Sequence, residues 1–278
     1  MRASTTVEDE IGATLARLRE RLAGLGSAVI AFSGGVDSTL LVQAAAATAG
    51  LRAVALTTAS PTNTGDDVEE ARRLARMIGI EHVVLSTDEL DTPGYAENPA
   101  HRCYLCKQTL YPLCFELARE RGYATVADGV NTDDLGDYRP GLRAAEEQGV
   151  RHPLVEAKLN KNDVRALSRF FGLPTADRPA SPCLSSRFPY GTRISREALA
   201  RVAAAEAALR HMGFTELRVR FYNDKARVEV SAAELPRLDD PALRSRAQRE
   251  ILCAGFGEVE FAREPLRSGS LNDALMNH

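Results

Sequence analysis

No stretch of this sequence approaches the roughly 20 consecutive apolar residues that a membrane-spanning helix requires. The chain does not open with the basic-then-apolar pattern of a secretory leader either, and residues 1–9 read as an irregular polar start. Both absences predict a cytoplasmic protein with no membrane partner. A basic excess is also missing: 35 Lys and Arg stand against 38 Asp and Glu, for a formal net charge of −3. That balance argues against a large nucleic-acid footprint, which carries a strong positive bias. Cysteine is scarce and odd in number: Cys103, Cys106, Cys114, Cys183 and Cys253. An odd set without an export signal excludes a disulfide framework and leaves metal binding, redox chemistry or burial. No internal repeat or low-complexity tract interrupts the chain.

What remains is ordinary globular composition, 44% hydrophobic and 26% charged, over 278 residues, a length that accommodates two domains. Apolar strands alternate with helical patterns through the first half. Val29–Phe32, Leu51–Thr58, His82–Leu85 and Thr125–Ala127 read as strands. Amphipathic helices are expected over 9–24, from Asp37 to about Ala49, over 66–78 and over 108–121. That alternation predicts an α/β fold with a doubly wound parallel sheet, in which ligands bind beyond the carboxyl ends of the strands. Residues 160–172 read as a further helix with an Asn cap and a glycine stop. Four prolines between Leu173 and Gly191 mark an extended crossing. Beyond it, a helix capped by Ser195, strands over Leu217–Phe221 and Ala226–Val230 around an Asn223-Asp224 turn, and a last strand at Glu258–Phe261 suggest a small C-terminal α+β domain. We therefore expect domains at 1–180 and 181–278.

The first strand leads into Ser33-Gly34-Gly35-Val36-Asp37-Ser38-Thr39. Two adjacent glycines let the backbone turn sharply and come close to a ligand, and the N–H groups of the following helix form an anion nest with the small hydroxyls. An ordinary strand-to-helix turn is the plain alternative. The full string is far more specific and resembles the SGGxDS pyrophosphate loop (PP-loop) of ATP pyrophosphatases. It is not a Walker A loop, which needs a Lys after its last glycine. The resemblance implies ATP cleavage between the α and β phosphates and an adenylated substrate oxygen. Residues 33–39, Thr58 to Ser60 and the run Asp128-Gly129-Val130-Asn131 fall on one expected rim. The last of these runs opens a polar loop to Gly141 that holds Asp128, Asp133, Asp134 and Asp137 with Asn131 and Arg139. A solvated turn cluster would look alike; a nucleotide and Mg²⁺ rim is favoured because the loop leaves the fourth strand at its carboxyl end.

Cys103 and Cys106 form a C-x-x-C before Lys107, and Cys183 sits alone in the proline-fixed loop. Half a zinc site, a redox dithiol and two plain thiols all fit the pair. A four-cysteine zinc site needs a second pair, which Cys114 and Cys253 do not supply; both lie in helical stretches and are expected to be buried. Three thiolates suit a [4Fe–4S] cluster with one open iron. Both cysteine loops are expected on the rim of the PP-loop.

The stretches SGGVDST, HRCYLCK, DGVNTDDLGDYRPGLRAA, PCLSSRFPYG and LRVRFYNDKARVEV together resemble the ATP-dependent sacrificial sulfur transferases, the LarE family, over about residues 25–270. That resemblance implies a PP-loop fold of the adenine nucleotide alpha hydrolase type. The implied activity converts a carboxylate of a pyridinium dicarboxylate mononucleotide, a small-molecule substrate, to a thiocarboxylate of the nickel-pincer nucleotide, the lactate racemase cofactor. The implied cofactors are ATP, Mg²⁺ and, for members with three cysteines, a [4Fe–4S] cluster; other members sacrifice one cysteine and leave dehydroalanine. The implied state is a homo-oligomer. Carried over by position, Ser33, Gly34, Gly35, Val36, Asp37, Ser38, Thr39, Thr58, Gly129 and Asn131 bind ATP, with Asp37 toward Mg²⁺. Cys103, Cys106 and Cys183 handle sulfur or hold the cluster, and Lys107 stabilises adenylate charge. Ser186 and Arg187 flank Cys183. Arg218 and Arg220 share one strand face and clasp a substrate phosphate, oriented by Glu206 and Glu229. A tRNA thiolase of the same superfamily is the alternative; it shares the cysteine logic but predicts a basic face and an RNA-binding appendage.

Overall fold

A computed structural model of the chain describes residues 2–136, 140–179 and 181–267. Asp137 and Arg139 of the polar loop lie outside the described residues. By its contacts the chain divides into two compact units, and the second is assembled from three pieces: Pro61–Thr64, Asp88–Arg102 and the chain from Pro182 onward. The first unit takes the rest.

The first unit is built on four strands, β1 (Ser27–Ala31), β2 (Arg52–Ala59), β3 (Glu81–Ser86) and β4 (Thr125–Ala127). They pair only in parallel, in the order β3-β2-β1-β4. Alternate residues of β1 point to opposite faces, as the pleat requires, and each face has its own apolar layer. Ala28 and Ile30 pack with α1 (Arg2–Ala23), α2 (Val36–Ala46), α3 (Gly65–Ile78) and α7 (Lys161–Phe170) through Leu18, Leu41, Leu74 and Leu167. Val29 and Ala31 pack with α4 (Arg102–Arg121) and α5 (Pro140–Gln148) through Tyr111, Leu117 and Ala145. A short helix, α6 (Pro153–Glu156), lies between α5 and α7 in the chain. Helices on both faces of a parallel sheet make the doubly wound PP-loop fold that the sequence predicts.

The second unit carries α8 (Arg196–His211), β5 (Leu217–Tyr222), β6 (Lys225–Val230), α9 (Pro241–Cys253) and β7 (Glu258–Phe261). β5 and β6 are antiparallel and β7 is parallel to β6. The hairpin turns at Asn223, whose φ of 57° lies in the left-handed region that Asn tolerates better than most residues. No described helix is long and apolar enough to cross a membrane.

Two boundaries differ from the sequence expectation. The chain is helical from Arg2, not irregular through residue 9. More consequentially, α4 begins at Arg102 rather than near 108, so the C-x-x-C stands in the first turn of a helix. A turn in which the Arg102 N–H donates to the Pro99 carbonyl sets that start; no Ser, Thr, Asp or Asn marks it, which is why the pattern hides it.

Candidate active site

β1 ends at Ala31, and Phe32 still donates to the Leu56 carbonyl (2.8 Å). The chain then leaves the sheet through Gly34, whose φ of 72° is a conformation L side chains rarely adopt. Ser33 and Ser38 lock the turn: their hydroxyls lie 3.1 Å apart, the Ser33 N–H donates to Ser38 Oγ, and Ser38 Oγ–H donates to the Gly35 carbonyl (3.2 Å). Gly35 caps α2 without any side-chain hydrogen bond. The first N–H groups of the helix, with the positive end of its dipole, are therefore available to an anion. Thr39, in the first turns of α2, is fully buried, and its Oγ1 has no hydrogen-bond partner among the described residues. Thr58 stands at the carboxyl end of β2, on the same side of the sheet.

The loop after β4 closes tightly on this turn. A Cβ added at Gly129 would sit 2.8 Å from Ser38 N and 2.9 Å from Ser38 Cα, so only glycine fits. Two residues on, Asn131 is buried and its amide donates to Asp37 Oδ1 (3.1 Å). The other Asp37 oxygen accepts from Lys161 Nζ at 2.5 Å, and the Lys161 N–H donates to Asp133 (3.0 Å). The sequence reading missed Lys161. It follows the Asn160 cap of α7, where a capping box with Asp163 fixes the helix start and aims the lysine at the PP-loop. A Walker-type lysine is absent from the loop itself, and Lys161 brings an ammonium to it from elsewhere in the chain.

Lys107 lies under α5, with its Cγ 3.2 Å from where a Gly141 Cβ would stand, and its ammonium is 5.5 Å from the Tyr111 ring centre. The Tyr111 hydroxyl donates to Asp128 Oδ2 (2.7 Å), and His152 Nδ1 meets Asp128 Oδ1 at 2.7 Å. This chain of contacts ties the C-x-x-C helix to the carboxyl end of β4. Burial pushes the Asp128 carboxyl up, but the bonds from His152 and Tyr111 and the Lys107 charge hold it net below its ordinary range. Burial pulls His152 down, and Asp128, joined by Glu156 and Glu146, holds it net above its ordinary value. Of the cysteines in this unit, Cys103 is exposed, Cys106 half-buried, and Cys114 buried with its thiol pushed up to about 12 by desolvation.

In the second unit, Cys183 is half-buried and precedes a short 3₁₀ turn, Leu184–Arg187. Arg187 is buried against Glu206 through two bonds of 2.8 and 3.0 Å, and also donates to the Pro182 and Cys183 carbonyls and to Ser186 Oγ. Glu206, fully buried, accepts in addition from the Val219 N–H and from Arg210. Arg220 pairs with Glu229 (2.9 Å) and donates to the Ser186 carbonyl (2.8 Å). Arg218, on the same face of β5 and 6% exposed, has no hydrogen bond or ion pair among the described residues. Its guanidinium is lowered to about 10, by burial first and then by the charges of Arg220 and Arg187, and stays charged at neutral pH. Ser186, Arg187, Glu206, Arg218, Arg220 and Glu229 thus come together as one group of five charges with a net positive balance. Cys253 contradicts its expected burial: it ends α9 exposed beside Leu252, while Ile251 of the same turn takes the buried side.

The donors for a cluster and for a divalent cation differ in fit. Thiolates are the right kind of ligand for iron, yet no three His, Cys, Asp or Glu side chains among the described residues form a group that holds a metal ion. Mg²⁺ keeps several waters and takes one or two carboxylates beside substrate phosphates; Asp37 is a carboxylate of that kind at the phosphate loop, its two oxygens here accepting from Asn131 and Lys161.

The asparagine synthase family model matches residues 15–129, which span α1 through the Gly129 turn. An uncharacterized protein of Synechocystis sp. is 43% identical over 94% of this chain and 97% of its own length. The pyridinium-3,5-bisthiocarboxylic acid mononucleotide synthase of Lactiplantibacillus plantarum is 38% identical over 94% of each chain. The tRNA-specific 2-thiouridylase MnmA of Xanthobacter autotrophicus is 33% identical, but over 55% of this chain and 49% of its own.

Proposed function

Because the chain belongs to the LarE family of ATP-using sulfur transferases, we propose that it converts a carboxylate of a pyridinium dicarboxylate mononucleotide to a thiocarboxylate in nickel-pincer nucleotide biosynthesis. The observation that carries this reading is the likeness to the pyridinium-3,5-bisthiocarboxylic acid mononucleotide synthase across 94% of both chains. The thiouridylase reading lacks such support, since that likeness stops at about half of the chain.

The uncapped N-terminus of α2, with Ser33, Gly34, Gly35, Val36, Asp37, Ser38 and Thr39, takes the β,γ-pyrophosphate, while Thr58, Gly129 and Asn131 line the nucleotide. A substrate carboxylate oxygen attacks the α-phosphorus, the bond to the β-phosphate breaks, and pyrophosphate leaves. Asp37 would hold Mg²⁺, which supplies charge neutralisation of the departing pyrophosphate; Lys161 and Lys107 face the phosphates and the adenylate. Arg218 and Arg220 clasp the substrate phosphate as bidentate donors, with Glu229 orienting Arg220. Glu206 and Arg187 hold the Cys183 loop and Ser186 beside them. Sulfur then attacks the carboxyl carbon and the bond to AMP breaks; sulfur from Cys183 would leave by elimination across its Cβ–Sγ bond, giving dehydroalanine, and a cluster would instead supply it as sulfide.

The sulfur is assigned to Cys103, Cys106 and Cys183, and the finer proposal is that the three thiolates ligate a [4Fe–4S] cluster. A sacrificed Cys183 is the competing route. Incubating the anaerobically purified protein with ATP and pyridinium-3,5-dicarboxylate mononucleotide should release pyrophosphate and AMP with formation of a thiocarboxylate. Release of neither product overturns the activity. About four iron and four sulfide per chain, lost in Cys103→Ala, would support the cluster. An iron-free protein whose Cys183 becomes dehydroalanine after one turnover would replace it with the sacrificial route.

A further inference from the structure

The segment that runs into the C-x-x-C helix is bonded, residue by residue, to the loop that carries Cys183. Asn98 is the centre of this strap. It is fully buried and holds a φ of 55°, a left-handed conformation that Asn accepts at modest cost. Its side-chain amide donates to the Phe188 and Pro189 carbonyls (3.3 and 2.7 Å), and its own carbonyl accepts from the Gly191 N–H (2.9 Å). Its Oδ1 accepts from Arg102, itself buried, whose guanidinium also lies 5.9 Å from the Tyr190 ring centre. Nearer Cys183, the buried hydroxyls of Tyr95 and Ser185 lie 2.8 Å apart, and the Leu184 N–H donates to the Thr62 carbonyl (2.8 Å). Every polar atom of the Asn98 side chain is spent on the strap, and Arg102, its partner, is the residue directly before Cys103.

We propose that Asn98 is a positioning residue of the sulfur-transfer step, fixing the Cys183 loop to the segment that starts the C-x-x-C helix. This rests on the function proposed above. None of its bonds reaches the PP-loop, so adenylation has no need of it. When the strap loosens, the adenylate forms but the sulfur is misplaced, and water takes its part: a water oxygen attacks the carboxyl carbon, the bond to AMP breaks, and carboxylate and AMP return with two protons released to solvent. A displacement near 1 Å at a reacting centre costs about 100-fold, enough for water to compete.

The test compares the full chain with Asn98→Gly, which keeps the left-handed backbone and deletes the side-chain bonds, and with Asn98→Asp, which keeps the acceptor for Arg102 but faces two carbonyls with a carboxylate. Pyrophosphate released per thiocarboxylate formed should rise about tenfold or more in both, with the rate of pyrophosphate release within about twofold of wild type. Amide hydrogen exchange of residues 184–191 should quicken by about tenfold, the scale of one or two lost hydrogen bonds, while β1 and β2 stay unchanged. An unchanged ratio of pyrophosphate to thiocarboxylate overturns the proposal, as does faster exchange in β1 and β2 together with 184–191, which would mean general loosening. If Asn98→Gly does not fold, Asn98→Asp and Tyr95→Phe decide by the same two measurements. If the wild-type protein forms no thiocarboxylate, the function proposed above fails first, and unchanged exchange in the variants then removes the strap as well.

Discussion

Replacing Gly129 by Ala tests whether the phosphate loop is held in shape by the loop after β4. The added methyl would meet Ser38 N at 2.8 Å, Ser38 Cα at 2.9 Å and the Asp37 carbonyl carbon at 3.1 Å, all of them backbone. Ordinary contact begins near 3.4 Å, so the first turn of α2 or the Asp128–Asn131 loop must move by about 0.5 Å, and no side chain can swing away to spare it. Overpacking of this kind costs about 1–3 kcal/mol. For a unit of this size the melting temperature should fall by about 3–10 °C. The moved atoms are the N–H groups proposed to hold pyrophosphate, so ATP affinity, measured by calorimetry, should weaken by about 10- to 100-fold. Gly136→Ala is the control, because a Cβ there meets nothing within 4 Å. Gly34→Ala differs in kind: its Cβ would make ordinary 3.5 Å contacts with Ala71, and its cost comes from a φ of 72°. If Gly129→Ala binds ATP within twofold of wild type and melts within about 1 °C of it, the loop does not brace the phosphate site and the reasoning fails.

Three further outcomes follow from the charges. Arg218→Met should raise the Michaelis constant for the mononucleotide by about 100-fold while ATP affinity stays unchanged, and the melting temperature should not fall, since the residue removed is a buried cation with no hydrogen bond or ion pair among the described residues; a lower melting temperature with intact substrate binding would refute the assignment. Lys161→Met should weaken ATP binding by about tenfold or more, and a variant with wild-type ATP affinity would place Lys161 in a purely structural bond to Asp37. For the Asp128–His152 pair, the raised His152 value contributes stability that is present below about pH 6.5 and lost above it, and the lowered Asp128 value contributes stability present above about pH 4 and lost below it. The melting temperature of the wild type should therefore decline from pH 6.5 to 8.5 relative to His152→Gln, and parallel curves over that range would refute the coupling.

Much of this was legible wherever the physics is local. The parallel sheet follows from apolar runs such as Ser27–Ala31 alternating with helical patterns, and the starts of α7 and α8 follow from Asn160 and Ser195, whose side chains accept from Asp163 N and Ala198 N. The phosphate loop was readable because its chemistry is carried by consecutive residues. Contacts that depend on topology were not. Lys161 meets Asp37 across 124 positions and looks in sequence like any solvated lysine. Asn98 meets Pro189 across 91 positions and sits in a stretch that reads as irregular. His152 follows a short bridge at Arg151 beside β4, and nothing near it in sequence indicates that its partner is Asp128. The exposed face of Cys253 was hidden for a related reason: periodicity identifies a helix, but at its last turn does not say which side is covered.

Arg218 separates charge kept for structure from charge kept for binding. Exposed pairs such as Arg143–Glu147 and Arg201–Glu197 contribute little. Buried pairs are another matter, because a buried ion is tolerated only when its partner and its hydrogen bonds are complete. Glu206 meets this demand with Arg187, Arg210 and the Val219 N–H, and Glu229 does so with Arg220. Both carboxylates are then accounted for, and Arg218 is the third guanidinium beside two that are already paired. Its lowered value, about 10, records both its desolvation and the repulsion from Arg220 and Arg187, yet it still leaves the side chain charged at neutral pH. A core that needed only to fold would place an apolar residue there, at Arg218 in the buried run Leu217–Phe221 of β5. Arg187, Arg218 and Arg220 already outnumber Glu206 and Glu229 by one charge, and Arg210 at the edge of the group adds another; an anion would offset this excess, and a substrate phosphate has the charge and bidentate geometry to do so.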